Sequence, residues 1–211
     1  MSGRVALVTG GSRGIGRATA IALARDGHRV AVCWSSDADG GDATVKEIEA
    51  EGGEGLSVQA DVADPAAVDA AFTTVEQQWE PVTVLVNNAG VTADGLLMRM
   101  KDEAWSRVMR TNVDGSFHTI RRATPGMMKA RFGRIVNVGS VAGLMGSAGQ
   151  ANYAAAKGAL VGLTRSVARE MASRGITCNL VTPGPIRTAM LEAVDEARQA
   201  DLTALVPLAR L

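Results

Sequence analysis

Arg4-Val5-Ala6-Leu7-Val8-Thr9-Gly10-Gly11-Ser12-Arg13-Gly14-Ile15-Gly16-Arg17 is the stretch that decides the fold. Its first half is an apolar, β-branched run with no polar alternation, the pattern of a strand buried on both faces. Its second half is glycine-rich and opens into a helix over 14–26, with Ile15, Ala18 and Ala22 expected toward the sheet. Outward from this unit the same alternation repeats. Strands are read at 28–34, 56–60, 82–87, 134–139 and 176–181. Helices are read near 40–51, 65–79, 103–131 and 152–173. The polar, Gly-containing segment Ser35 to Asp42 reads as a loop. Regular alternation of β and α implies parallel strands joined by right-handed crossovers. The expected architecture is α/β: one doubly wound parallel sheet with helices on both faces, residues 1–211 forming a single domain. Such sheets bind ligands outside the carboxyl ends of their strands.

Composition removes several function classes. The 211 residues carry 22 Lys+Arg against 22 Asp+Glu, so no net field draws nucleic acid or an anionic membrane. Aromatic residues are only 3%, too few to stack single-stranded bases. Cys33 and Cys178 stand far apart, so neither a disulfide framework nor a metal site is expected, and both read as small core residues. No apolar run is long enough for a membrane span, and the start has no signal-peptide pattern, so the expected compartment is the cytoplasm.

The first strand end admits three readings. A phosphate-binding loop of the Walker type needs Lys after its last glycine, but Gly16 is followed by Arg17. Gly10-Gly11-Ser12-Arg13-Gly14 matches a nucleophile elbow, yet the only later histidines, His28 and His118, fall at no suitable strand end. The third reading is a dinucleotide loop. Gly10, Gly14 and Gly16 permit positive φ and close approach of a pyrophosphate, and the helix amino end favours the anion. An NAD site carries an acid about 20 residues on, at the second strand end. Here that end is Cys33-Trp34-Ser35-Ser36. Arg13, in the glycine loop, can reach this region, and a cation with the hydroxyls of Ser35 and Ser36 suits a 2′-phosphate, so NADP(H) is preferred, with Asp37 or Asp39 left as a route to NAD; Ser12 and Ile15 of the loop are further cofactor-binding candidates.

The other strand ends are also polar. Asp61-Val62 follows the third, where a carboxylate could meet an adenine amino group; Asp64 before Pro65 is the better helix cap. Asn87-Asn88-Ala89-Gly90 follows the fourth, and buried Asn side chains need partners. Ser140 follows the fifth. Thirteen residues further stands Tyr153, with Lys157 on the same helix face one turn on. A nearby ammonium is expected to lower the phenol pKa.

Taken together, Thr9-Gly10-x3-Gly14-x-Gly16, Asn87-Asn88-Ala89-Gly90, Asn112, Ser140, Tyr153-x3-Lys157 and Pro183-Gly184 resemble the short-chain dehydrogenase/reductase family over nearly the whole chain. Their finer texture resembles the 3-oxoacyl-thioester reductases of bacterial fatty-acid synthesis within it. The resemblance implies a Rossmann-type fold and reduction of a 3-oxoacyl thioester, on acyl-carrier protein or CoA, by NADPH. It implies that Tyr153 is the general acid, that Ser140 holds the substrate oxygen, that Lys157 lowers the Tyr153 pKa and binds ribose hydroxyls, and that Asn112 holds a water of a proton relay. It places Asn88, Ala89 and Gly90 beside adenosine and ribose, and Ile186 and Thr188 beside carboxamide and phosphates. It implies a homotetramer built on the two long helices, where Ala155, Gly158, Ala159 and Gly162 form a small-residue stripe. Arg131 and Arg174 are candidate cations for an acidic carrier. Met98, Met100, Met145 and Met190 are candidates to line an acyl site, and residues 185–205 a substrate loop. Relatives are expected to continue past Val206-Pro207-Leu208 with a helix and a seventh strand. Two alternatives stand beside this reading: a reductase of another ketone (a polyketide, sugar or steroid), and an inactive dinucleotide-binding protein.

Overall fold

A computed structural model of the chain describes residues 3–188 and, beyond them, 199, 203, 204, 206–208 and 210. The substrate loop expected at 185–205 falls largely outside the described residues, as does Met190. Six parallel strands, β1 (Val5–Thr9), β2 (Arg29–Trp34), β3 (Glu54–Gln59), β4 (Val84–Asn87), β5 (Gly133–Val138) and β6 (Ile176–Val181), form one sheet in the order β3-β2-β1-β4-β5-β6. The order reverses between β1 and β4, so a crevice opens at their carboxyl ends, the place where doubly wound sheets bind ligands.

Helices cover both faces. One face carries α1 (Gly14–Arg25) and α2 (Ala38–Ala50). Its core joins Ala6, Val8, Val30, Val32 and Val86 to Ala20, Ile21, Ala24 and Ile48. The other carries α3 (Pro65–Gln78), α4 (Asp102–Met109), α5 (Gly115–Ala130) and α7 (Ala151–Met171), with the short α6 (Ala142–Met145) before α7. Its core is larger and centres on Leu7, Phe72, Leu85, Met127 and Ile135. Cys33 and Cys178 are free thiols inside it, and burial pushes them up to about 12 and about 11. Among the described residues no helix is long and apolar enough to cross a membrane.

Three local expectations need correction. Ser35 to Asp42 is not all loop. Asp37 accepts a hydrogen bond from the Gly40 amide and starts α2 at Ala38, and Gly41 packs where a Cβ would strike the Trp34 indole. The sheet-facing stripe of α1 is Gly16, Ala20, Ile21 and Ala24, not Ile15, Ala18 and Ala22, because Gly16 must seat against the glycine loop. The helix expected over 103–131 is α4 and α5 joined by a single π turn, Arg110–Asp114. Asp64 behaves as expected: it caps α3 through the Ala66 amide, with Pro65 in the first turn.

Candidate active site

The glycine loop is held by backbone geometry. Gly10 (φ +62°) and Gly14 (φ +56°) lie in the left-handed region, and a Cβ on Gly16 would overlap the Gly10 carbonyl oxygen. Ser12 is buried. Arg13 is exposed at the α1 N-cap, extended and without a side-chain cap, so the first amides of α1 are open to an anion. The end of β4 is sewn to this loop. Asn88 donates its amide to the Thr9 and Gly10 carbonyls (3.0 Å each), and Thr9 Oγ1 accepts from the Asn88 and Ala89 backbone (3.0 Å each). The Asn88 side chain is therefore committed to the loop's shape. These features make a cradle of a kind that suits a dinucleotide.

The neighbouring strand ends are simpler. Ser35 is exposed, and its carbonyl accepts from the Gln59 side chain (3.0 Å). Asp37 is occupied as the α2 cap. Asp61 is exposed and turns back to the Ala63 amide (2.9 Å), while Val62 is a core residue whose carbonyl meets His118 Nδ1 (3.0 Å).

Asn112, Ser140, Tyr153 and Lys157 come from a π turn, a strand end and α7. The π turn shifts the hydrogen-bond register and leaves the Val108 carbonyl to the Asn112 side chain (2.9 Å), which also donates to the Val91 carbonyl (2.9 Å). Asn112 is fully buried, and its Oδ1 has no partner. A Cβ on Gly90 would lie 2.5 Å from that oxygen and 3.4 Å from Lys157 Nζ. Both polar ends thus converge on one small space that only glycine leaves open. A buried carbonyl acceptor beside a buried amine is an arrangement that a water or a ribose hydroxyl could bridge.

Lys157 Nζ donates to the Val138 carbonyl (2.8 Å) and lies 5.7 Å from the Tyr153 ring centroid. Burial brings its pKa down to about 8. Tyr153 is shifted upward rather than downward. Desolvation of the phenolate dominates, a hydrogen bond with Ser140 opposes it, and the Asp94 carboxylate adds to it. Lys157 does not supply the lowering that the spacing predicts: its Nζ sits over the ring and is bonded to the Val138 carbonyl. A raised phenol keeps its proton at neutral pH, the form a general acid needs. Ser140 Oγ also accepts from the Ala142 amide (3.2 Å), which fixes the turn into α6. Gly143 in α6 lies so close to α7 that a Cβ would stand 2.6 Å from the Lys157 carbonyl carbon.

Beneath the site runs a buried polar chain. Thr119 donates to Asn87 (2.6 Å), Asn87 to Asn137 (2.8 Å) and Asn137 to Thr164 (2.8 Å). It ties α5, β4, β5 and α7 together under the four side chains. Residues 183–188 fold back over the β5 end: Val141 donates to the Pro183 carbonyl (3.1 Å), and Thr188 Cγ2 stands 3.4 Å from where a Gly14 Cβ would sit. Ile186 is exposed, and Gly184 has open space around it.

Arg131 and Arg174 are exposed, but they precede β5 and β6. They sit at the amino ends of the strands, about 20 Å of strand away from Ser140. They do not border this chain's own site. Three further residues that shape it belong to stretches that carry the family resemblance, but the sequence alone assigned none of them a role. Gly143 is the close approach of α6 to α7. Asn152 is fully buried beside Tyr153 and binds the Ala93 carbonyl. Asp94 acts on the phenol from another loop.

The family described as short chain dehydrogenase matches residues 4–199. A 3-oxoacyl-[acyl-carrier-protein] reductase FabG of Staphylococcus aureus (strain Mu50) is 48% identical over 205 residues, covering 97% of this chain and 83% of the relative. The 3-oxoacyl-[acyl-carrier-protein] reductase of Synechocystis is 47% identical over 210 residues, covering all of this chain and 84% of the relative. The Vibrio harveyi FabG is 46% identical over 211 residues, covering 85% of the relative.

Proposed function

This chain belongs to the short-chain dehydrogenase family, and from that premise we propose that it is an oxidoreductase that reduces a 3-oxoacyl thioester, on acyl-carrier protein or CoA, to the 3-hydroxyacyl thioester in fatty-acid synthesis. The observation that carries the proposal is the convergence of Ser140, Tyr153, Lys157 and Asn112 beside a glycine loop built for a dinucleotide. The nearly full-length similarity to reductases named for this reaction supports the substrate class.

A bound nicotinamide dinucleotide supplies the hydride. Tyr153 gives its phenolic proton to the carbonyl oxygen as the carbon is reduced. Ser140 donates a hydrogen bond to that oxygen and favours its developing charge. Lys157 binds the nicotinamide ribose hydroxyls and, with Asn112 Oδ1, brackets the space through which the Tyr153 proton is replaced. Gly10, Ser12, Gly14, Ile15 and Gly16 receive the phosphates. Asn88, Ala89 and Gly90 border adenosine and ribose, Asp61 and Val62 the adenine, and Pro183, Gly184, Ile186 and Thr188 the nicotinamide end.

NADP(H) is the proposed cofactor. Exposed Arg13 and Ser35 offer a cation and a hydroxyl of the kind a 2′-phosphate needs, and Asp37, one of the two acids (with Asp39) that would favour NAD, is engaged as a helix cap. Exposed Leu96, Leu97, Met98, Leu144 and Met145 flank the site mouth and suit an acyl chain. Phe117, Ala155, Ala159 and Gly162 face outward from α5 and α7, consistent with a homotetramer packed through these helices. Buried free thiols suit the reducing cytoplasm.

The deciding assay is loss of NADPH absorbance at 340 nm with acetoacetyl-CoA, run beside NADH and unrelated ketones. The proposal expects turnover with the thioester and preference for NADPH, and Arg13→Ala should erode that preference. Retained NADPH binding without turnover would instead favour an inactive dinucleotide-binding protein, and faster turnover of an unrelated ketone a reductase of another substrate.

A further inference from the structure

Residues 91–95 follow the Asn87-Asn88-Ala89-Gly90 motif without forming helix or strand, yet every one of them is tied to an element of the site. The Val91 carbonyl accepts from Asn112 Nδ2 (2.9 Å), the Thr92 carbonyl from Arg107 of α4 (3.0 Å) and the Ala93 carbonyl from Asn152 Nδ2 (2.9 Å). Asp94 Oδ2 accepts from Gln150 Nε2 (2.9 Å), and Gly95 donates its amide to the Gly149 carbonyl (2.8 Å). Asn152 is the partner that also holds Tyr153: its oxygen accepts from the Tyr153 amide (2.8 Å). That amide is one of the first-turn donors of α7 that no intrahelical carbonyl reaches, and the N-cap Gln150 makes no side-chain cap bond. Asn152 is fully buried, so both of its bonds are made away from water and neither partner is replaced cheaply.

We infer that Asn152 is a positioning residue of the reduction: bonded to the Ala93 carbonyl at one end and to the Tyr153 amide at the other, it sets the acid from the same segment that sets Asn112. The inference rests on the proposed roles of Tyr153 as general acid and of Asn112 in renewing its proton. Val91 and Ala93 are two residues apart, no more than about 7 Å of backbone. One short piece of chain therefore spaces the π turn from the start of α7. Asn152 acts through the Tyr153 backbone, and without it the first turn of α7 loses its tie to that piece.

The test compares wild type, Asn152→Ala, Asn152→Asp, Asn112→Ala and the double variant Asn112→Ala with Asn152→Ala. NADPH-dependent reduction of acetoacetyl-CoA is measured at saturation and divided by the concentration of NADPH-binding sites, titrated by fluorescence at the same temperature. A residue with only a structural role lowers Tm and the number of sites and leaves kcat per site unmoved. Asn152→Ala should lower kcat per site by about 10–100-fold, the scale of a misplaced reacting group. Asn152→Asp keeps an acceptor for Tyr153 and loses the donor to Ala93, so its kcat per site should fall by less. This variant decides the question if Asn152→Ala yields no NADPH-binding sites. The double variant should lose less than the product of the single losses, because both changes disturb one proton path. A kcat per site equal to wild type overturns the inference, as does a double-variant loss equal to that product. Absence of turnover in wild type would count against the proposed function. Tyrosinate absorbance at 295 nm would then still decide the inference, because Tyr153 is the only tyrosine in the chain. A moved midpoint in Asn152→Ala supports it, and an unmoved one overturns it.

Discussion

Replacing Lys157 with methionine exposes the cost of building this site. The lysine is buried on α7 and its pKa falls from an ordinary 10.5 to about 8. At about 1.4 kcal/mol per pH unit, the folded state gives up about 3 kcal/mol at neutral pH to hold the ammonium. Methionine keeps most of the stem's packing and removes that penalty, but it leaves the Val138 carbonyl without Nζ, a loss of about 1–3 kcal/mol. Lys157→Met should therefore be at least as stable as wild type at pH 7 while losing activity. The pH dependence is the sharper signature. The unfolded lysine keeps its proton up to its ordinary 10.5 while the folded one releases it near 8, so between those values the unfolded state binds more protons and stability rises with pH. Cys33 and Cys178 act in the opposite sense. Their folded pKa values lie above the ordinary 9.0, so their contribution is whole below 9.0 and is lost as pH rises. Both thiols are present in both proteins and cancel in the difference. Urea unfolding of the two at pH 7 and pH 10 should show wild type gaining about 2.5 kcal/mol on the variant. A difference that stays flat over this range would refute the buried-ammonium reasoning.

Three further substitutions test other parts of the site. Tyr153→Phe should lower kcat for acetoacetyl-CoA by about 10²–10⁴-fold and leave the fluorescence titration with NADPH near wild type. Asn137→Ala removes the middle of the buried polar chain and strands Asn87 and Thr164, so urea unfolding should show a loss of about 2–4 kcal/mol. Gly16→Ala drives a methyl into the Gly10 carbonyl, so the Kd for NADPH should rise at least about tenfold and Tm should fall, since overpacking costs about 1–3 kcal/mol.

The architecture was legible because each strand is a short apolar run closed by polar or glycine residues, so both the strand and its functional end were marked. The strand at 176–181 was read to the residue, and the others to within two. What failed was whatever depends on a particular contact rather than on the pattern of apolar residues. Ser35 to Asp42 looks like a loop until Trp34 is placed against Gly41 and Asp37 against the Gly40 amide. The buried face of α1 is set by the contact of Gly16 with Gly10 rather than by the side chains of Ile15, Ala18 and Ala22. The π turn at 110–114 has no composition of its own; it exists because Asn112 must reach two carbonyls at once. The sign of the Tyr153 shift was unreadable for the same reason. The i, i+4 spacing brings Lys157 near, but burial and Asp94, which outweigh Ser140's hydrogen bond, come from elsewhere in the chain.

Residues that touch reacting groups and residues that hold them were therefore visible to different degrees. Ser140, Tyr153 and Lys157 stand at spacings fixed by one strand end and one helix, a local rule. Their support is not local. Asn87 and Asn137 meet only because β4 and β5 pair in register, and Asn152 meets Ala93 only because the crossovers that leave these two strands begin side by side. A parallel sheet produces this division by construction. Every strand delivers its carboxyl end to one edge, so the motifs appear in chain order along the sequence. The hydrogen bonds that set their geometry run across the strands, between residues tens of positions apart. A substitution in the cross-strand set should consequently cost stability and activity together, whereas one in the motif set, as Lys157→Met illustrates, can remove activity while leaving the fold as stable or more so.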